Sequence, residues 1–316
     1  MRSVVVLAVA VLVLAACARP AAAPALPPSP SPPVTHPAWV ACPPGDDDPT
    51  APLGLPPLPA GFVPAGVVIC ADGLRTRADG GEDRVRRERR GSDVAALVAA
   101  LRLPSEPRTA EACDLSLVGV VWFAVLDAAG RWLRPGVAAD ACGKPRIEVR
   151  DALDRLTLTT VRTTVLGETK SAAAAASGCE QRWGEMIGAV TAGSAGSAGS
   201  AAPAGGADAP KGPVRLCVYT VPASEQGSGK PAGDFARGGL LPADRWTVLR
   251  AKLLAAGPPV PCPAHAGRFA VLRAPDGAGG EVYAELDGCH RLLFSTPSGN
   301  ALRQGSAALA AEIDRP

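Results

Sequence analysis

The chain has 316 residues and a formal net charge of +2, with 32 Lys and Arg against 30 Asp and Glu. That balance gives no global electrostatic case for nucleic acid as a partner, and the length suffices for two domains. Only five of the basic residues are Lys, and Ala, Gly, Pro and Arg dominate. Such a bias follows from GC-rich coding and argues against reading a function into every Arg run.

The first element is an apolar run of eleven residues from Val4 to Leu14, behind a single Arg2. A helix that crosses a bilayer needs about 20 such residues. Eleven, with a positive start and small residues after it, is the build of a signal peptide. The run closes on Leu14, Ala15, Ala16 and Cys17, which resembles the lipobox of bacterial lipoproteins. The resemblance implies cleavage before Cys17 and a diacylglyceryl group on its thiol. Residues 1–16 are then the signal peptide, and Cys17 is the anchor on the extracytoplasmic face of the cell membrane. Residues 18–40 carry eight prolines and no apolar period. With the anchor they form a stiff, polyproline-like tether over 17–40. His36 falls inside that tether.

The rest divides by its cysteines. Apart from Cys17 there are eight: Cys42, Cys70, Cys113, Cys142, Cys179, Cys217, Cys262 and Cys289. The second-to-third steps are 43 and 45, the third-to-fourth 29 and 27, and the first-to-second 28 and 38. The excess in the last falls in a Gly/Ser/Ala-rich stretch, 191–210, expected to be a flexible surface insertion. The spacing predicts a tandem of two α+β modules, 41–168 and 179–316, with a linker at 169–178.

In chain order, the first module starts with a β-branched strand, "VVICAD" (67–72). A helix follows at "SDVAALVAALRLP" (92–104), opened by a capping residue and stopped by Pro. A hairpin turns at 127–130 in "LVGVVWFAVLDAAGRWLRP" (117–135). A second helix, "RIEVRDALDRL" (146–156), and a closing strand, "TLTTVRTTVL" (157–166), end it. The second module repeats the plan with "VRLCVYTV" (214–221), "ADRWTVLRAKLLAAGPP" (243–259), a hairpin over 267–286 and a C-terminal helix in "NALRQGSAALAAEI" (300–313). The expected fold is thus strand, helix, hairpin and a further helix in each module, with helices on an antiparallel sheet.

An even number of cysteines in an exported chain implies disulfides. The midpoints of Cys113 and Cys142, and of Cys262 and Cys289, fall at the two hairpin turns. Residues equidistant from such a turn face each other at disulfide distance. By elimination Cys42 pairs with Cys70, and Cys179 with Cys217.

Sites with chemistry are few. No CxxC is present, and three His leave little for a zinc site, so no metal or cofactor is expected. "DDD" at 46–48 lacks the spacing of a calcium loop. "RVRRERR" (84–90) reads as a solvated loop before the helix, the alternative being a patch for an anionic polymer. No GxSxG, Ser-x-x-Lys or HExxH occurs. His265 and His290 follow Cys262 and Cys289, and neither has a nucleophile at a diagnostic spacing. Trp122 and Trp132 are not opposite one another in their hairpin and need not share a cluster.

With "DACGKPR" (140–146) and Cys179-x-x-x-Trp183, the module pattern resembles uncharacterised exported proteins of GC-rich Gram-positive bacteria. That resemblance implies no activity. The expectation is a lipid-anchored binding or structural protein without catalytic residues. Its partners are the membrane through the anchor and cell-wall polymer or another exported protein. The alternative is an envelope hydrolase with its site between the modules.

Overall fold

A computed structural model describes residues 33–43, 48–109, 111–194, 209–277, 279–297 and 299–315. The Leu14–Cys17 motif, most of the Pro-rich segment and Asp46 and Asp47 lie outside the described residues. Two antiparallel sheets carry the fold, each with a pair of helices on one face.

The first sheet has five strands: β1 (Gly66–Thr76), β2 (Glu82–Gly91), β3 (Trp122–Leu126), β4 (Trp132–Leu133) and β5 (Thr159–Lys170). Their order is β4-β3-β1-β2-β5. Alternation along β1 and β3 sends Val67, Ile69, Phe123 and Val125 to one face, where they meet helices α1 (Ala95–Leu101) and α2 (Ile147–Asp154). These helices give the core Leu97, Leu101, Val149 and Leu153 at helical spacing. A short 3₁₀ turn, Ala51–Gly54, precedes β1.

The connection to the second sheet is brief. β5 ends at Lys170, and Ser171 caps helix α3 (Ala172–Ser177) by accepting the Ala174 N–H at 3.2 Å. Gly178 then takes a left-handed φ of 71°, the conformation that ends a helix most cheaply. The residues expected to be a linker therefore form the end of a strand and a capped helix.

The second sheet has seven strands: β6 (Arg182–Gly184), β7 (Arg215–Thr220), β8 (Ala232–Leu240), β9 (Arg268–Arg273), β10 (Glu281–Glu285), β11 (Arg291–Thr296) and β12 (Gly299–Gln304). Their order is β12-β11-β10-β9-β7-β8-β6. On one face Leu216, Val218, Leu272, Val282 and Phe294 pack against α5 (Ala243–Leu254) and α6 (Ala307–Ile313), which supply Trp246, Leu249, Leu253, Leu309 and Ile313. The other face is covered by helix α4 (Met186–Ser194) and the segment leading to it.

The architecture is α+β, and the hairpins at 127–130 and around Pro275 form as expected. Several details differ from the sequence reading. The Arg-rich 84–90 segment is strand β2 and not a loop, so each sheet core reads strand, strand, helix, strand, strand. Both faces of β2 carry charge, with Arg84, Arg86, Glu88 and Arg90 on one and Asp83, Arg87 and Arg89 on the other, and only Val85, at 0 % exposure, is apolar and enclosed. The residues 299–304, expected at the start of the last helix, form β12 before Ser306 caps α6. Helices α1 and α5 lack the side-chain caps expected of them. Helix α4 runs into the 191–210 stretch, and at its far end Ala209 is buried and Pro210 accepts the Trp246 Nε1 hydrogen at 3.1 Å.

Four disulfides join Cys42 to Cys70, Cys113 to Cys142, Cys179 to Cys217 and Cys262 to Cys289, with Cα separations of 5.7–5.9 Å. The geometric reason is not the one inferred. β4 has only two residues, and Cys113, Cys142, Cys262 and Cys289 lie outside the strands. Extending the Val125↔Leu133 and Phe269↔Glu285 registers outward puts Cys113 opposite residue 145 and Cys262 opposite 292. Each true partner stops three positions short, so these bonds tie the open ends of the hairpins together. The other two bonds fix a preceding segment onto the central strand, β1 or β7.

Candidate functional site

The second half of the chain forms a partly open pocket of about 210 Å³ with mixed polar and apolar walls. It opens where the start of α4, the 226–231 turn and the 262–266 loop converge, with the Cys262–Cys289 bond in its wall. Glu185 lies just ahead of α4 and is 4 % exposed. Its two oxygens accept the Ile187 and Gly188 N–H groups at 2.8 and 2.6 Å, satisfying donors that the first helical turn leaves without partners. Burial is the main cause that raises the Glu185 carboxyl above its usual 4.5; nearby Glu285 adds to the shift, while Arg291 opposes it.

Beneath it lies an ion pair. The Arg291 guanidinium donates to Glu285 at 2.6–3.1 Å, and its backbone N–H donates to the same carboxylate at 2.8 Å. Both residues are buried, at 8 % and 1 % exposure. Two charges removed from water persist only with this density of hydrogen bonds. His265 stands at the cavity mouth, exposed, against the Gly227 backbone. Thr191, Gln226 and Ser228 complete the polar lining.

This arrangement is equipped to recognise and not visibly to attack. The Thr191 hydroxyl donates to the Ile187 carbonyl at 2.9 Å, and Gln226 Nε2 donates to the Val221 carbonyl at 3.0 Å. Among the described residues no hydrogen bond joins His265 to a hydroxyl or a carboxylate, so no base is aligned on a nucleophile. His290 does not line the cavity. It takes a positive φ of 55° beside Cys289, and its Nδ1 is buried without a partner. No group of His, Cys, Asp or Glu among the described residues is built to hold a metal ion.

The aromatic residues form a second constellation, on the first sheet. Trp39, Trp122 and Trp132 do share a cluster, with ring centroids 5.1–6.4 Å apart, and His36 stacks on Trp132 at 4.0 Å. Counting positions from the turn misses this, because Trp39 and His36 come from the preceding segment. The His36 backbone pairs with Trp132 in both directions, so this end of the Pro-rich segment is part of the folded unit. Trp39 Nε1 donates to Glu88 at 2.8 Å and Trp132 Nε1 to the Ala38 carbonyl at 2.9 Å. Both indoles thus spend their polar atoms internally and serve as packing.

The arginines of β2 are likewise largely engaged. Arg84 and Arg86 pair with Asp72 and Arg90 with Glu88, while Asp83 of the same strand takes Arg75 and Arg77 from β1 and the turn after it. Arg87 donates to the Leu74 carbonyl. A continuous anionic-polymer patch is not what this strand presents. Asp48 accepts from the Thr50 hydroxyl and N–H, which closes a local turn.

Sequence reasoning named His265 but missed Glu185, Glu285 and Arg291. Glu185 had a signal, an acid directly before the apolar run Met186–Ile187. The Glu285–Arg291 pair spans a turn between buried strands and had none.

No protein-family model, curated protein or solved structure matches the chain. The site therefore stands on its own geometry. Four disulfides fit an oxidising, extracytoplasmic compartment, and among the described residues no helix is long and apolar enough to cross a membrane.

Proposed function

We propose that this is a lipid-anchored, extracytoplasmic binding protein built from a duplicated sheet-and-helix unit. Its second unit binds a small polar ligand in the cavity around Glu185. The observation that carries the reading is that cavity: a partly open pocket of about 210 Å³ with a buried carboxyl at its base, His265 at its mouth and a disulfide in its wall. Few convergent polar groups in a braced pocket are what orientation-specific binding needs. Duplication is supported by the shared neighbours β3-β1-β2 and β9-β7-β8, and by a disulfide onto the central strand in both. The anchor is supported by Leu14, Ala15, Ala16 and Cys17.

A thermal-shift screen with monosaccharides, amino acids and dipeptides tests the pocket. A ligand that raises Tm in the wild type and not in His265→Ala supports it; no such ligand counts against it. Palmitate labelling tests the anchor: the wild type incorporates label and Cys17→Ser does not. A hydrolase is the second reading, favoured by His265, Glu185 and Ser228 lining one cavity, which lies inside the second unit and not between the units. It requires turnover of nitrophenyl esters that His265→Ala abolishes.

A further inference from the structure

The ends of the two sheets are closed in different ways, with one exception. β4 has two residues, and His36 pairs with Trp132 there. β6 has three residues. β12 is met by Gly257, whose carbonyl accepts the Gln304 N–H at 2.9 Å. β5 has twelve residues, lies at the edge, and pairs only with β2. Eleven of its residues are exposed, and Val161, Val165 and Leu166 are 51 %, 50 % and 39 % accessible. A long strand with one free edge presents a row of unpaired N–H and C=O groups, which natural sheets usually protect.

Three register shifts interrupt the β2–β5 ladder, but from Arg162 to Val165 the pairing with Glu88 to Val85 is continuous. That stretch is the regular template. Charge marks what fits it. Five neighbouring arginines, Arg75, Arg77, Arg84, Arg86 and Arg90, have carboxylate partners, whereas among the described residues no ion pair reaches Arg87, Arg89 or Arg162. Arg162 lies on the edge strand itself. Arg87 and Arg89 face Thr163 and Thr160 from one strand inside, about 4.8 Å away and within reach of a long side chain.

We propose that the β5 edge, centred on 159–165, is a docking site for an extended, acidic segment of a partner protein, which adds to the sheet as a sixth strand. Backbone pairing supplies the affinity, and the guanidiniums of Arg87, Arg89 and Arg162, of which Arg87 and Arg162 donate only to the Leu74 and Val40 carbonyls, select carboxylates. This inference stands apart from the cavity of the second unit and survives its failure.

The probe is a fluorescein-labelled nine-residue peptide of alternating Val and Glu, added to the full chain in mild detergent. Fluorescence polarisation should show saturable binding that weakens as salt rises, and hydrogen exchange at 159–165 should slow. The peptide with Lys for Glu should not bind. Successive residues of a strand turn their N–H groups to opposite edges, so methylating one alternate set of peptide nitrogens should abolish binding and methylating the other should spare it. Arg87→Glu with Arg89→Glu should lower affinity about tenfold and favour the Lys peptide. Equal binding by both methylated peptides, or by the Lys peptide to the wild type, overturns the proposal. So does a concentration-dependent dimer that protects 159–165 without peptide, because the edge would then serve a second copy of the chain.

Discussion

Each sheet has a helical face and a second face crossed by a disulfide-tied segment, and the two segments do their work differently. On the first sheet a short run around Trp39 and Cys42 packs on Val68, Cys70 and Trp122, reaches Glu88 and Arg86 of β2, and leaves β5 exposed along nearly all its length. On the second, Cys179, Trp183 and α4 extend across Tyr219, Phe269, Val271, Tyr283 and Leu293. Gly238 shows how close the second segment lies: any side chain there would collide with the Cys179 sulfur. A long cover creates a pocket at its margin, while a short one leaves a free edge. The second half thus has a pocket beside its cover, and the first a long strand exposed at its edge.

The strongest way to break this comparison is to remove a partner from the buried ion pair, which among the described residues has no counterpart in the first half with both partners buried. Arg291→Met strands the Glu285 carboxylate, at a cost of about 3–5 kcal/mol. Denaturant unfolding should show the second half melting early with the first little changed. A shift of both together would mean that they unfold as one unit.

Next come the two segment disulfides. They close loops of 38 and 28 residues, so the chain-entropy contribution is nearly the same, about 3–4 kcal/mol each. Packing should separate them. Cys179 and Cys217 are 0 % and 1 % exposed, whereas Cys42 is only half-buried. Cys179→Ala with Cys217→Ala should therefore lower Tm more than Cys42→Ala with Cys70→Ala. The reverse order would deny that the longer cover is the more tightly built.

Each cover also has an indole hydrogen bond. Trp39 Nε1 donates to Glu88, and Trp183 Nε1 donates to the Tyr283 hydroxyl at 3.1 Å. Trp39→Phe and Trp183→Phe should each cost about 1–2 kcal/mol. Trp39→Phe should cost the more, because its acceptor is a buried carboxylate.

The smallest effect is in the pH profile, and its sign differs between the halves. Burial raises the folded-state Glu185 carboxyl above 4.5, so the folded chain holds this proton longer than the unfolded one. Its contribution to stability is lost as pH rises from about 4.5 through the raised value. Hydrogen bonds from Arg75 and Arg77 lower Asp83, and one from Arg86 lowers Asp72. Their contributions are present above 3.8 and are lost as pH falls through the lowered values. Glu185→Gln should flatten only the upper limb of a Tm-against-pH curve, and Asp83→Asn only the lower.

Much of the framework was legible because it is local. β-Branched runs around Cys70 and Cys217 marked β1 and β7, and apolar runs on either side of a turn marked β3 and β9. Position 84–90 was misread because the strand is charged on both faces and carries a single apolar residue, Val85, so that no alternation of apolar and polar residues marks it. The aromatic cluster and the cavity were illegible for another reason. Trp39 meets Trp132, and Glu185 meets Arg291, only after the covering segments fold back over the sheets, and no periodicity encodes that return.

The Cys42–Cys70 bond also decides how the first half bears a mechanical load. A pull on the N-terminal segment would otherwise peel His36 from Trp132, two hydrogen bonds at a time, beginning at the edge of the sheet. Force that reaches Cys42 passes through a covalent link to the middle of β1, the central strand, which is held on both sides by ladders with β2 and β3. Those ladders are loaded in shear, with many bonds sharing the strain at once. A domain held to a surface by its N-terminal end is thereby anchored at its core and not at its hem.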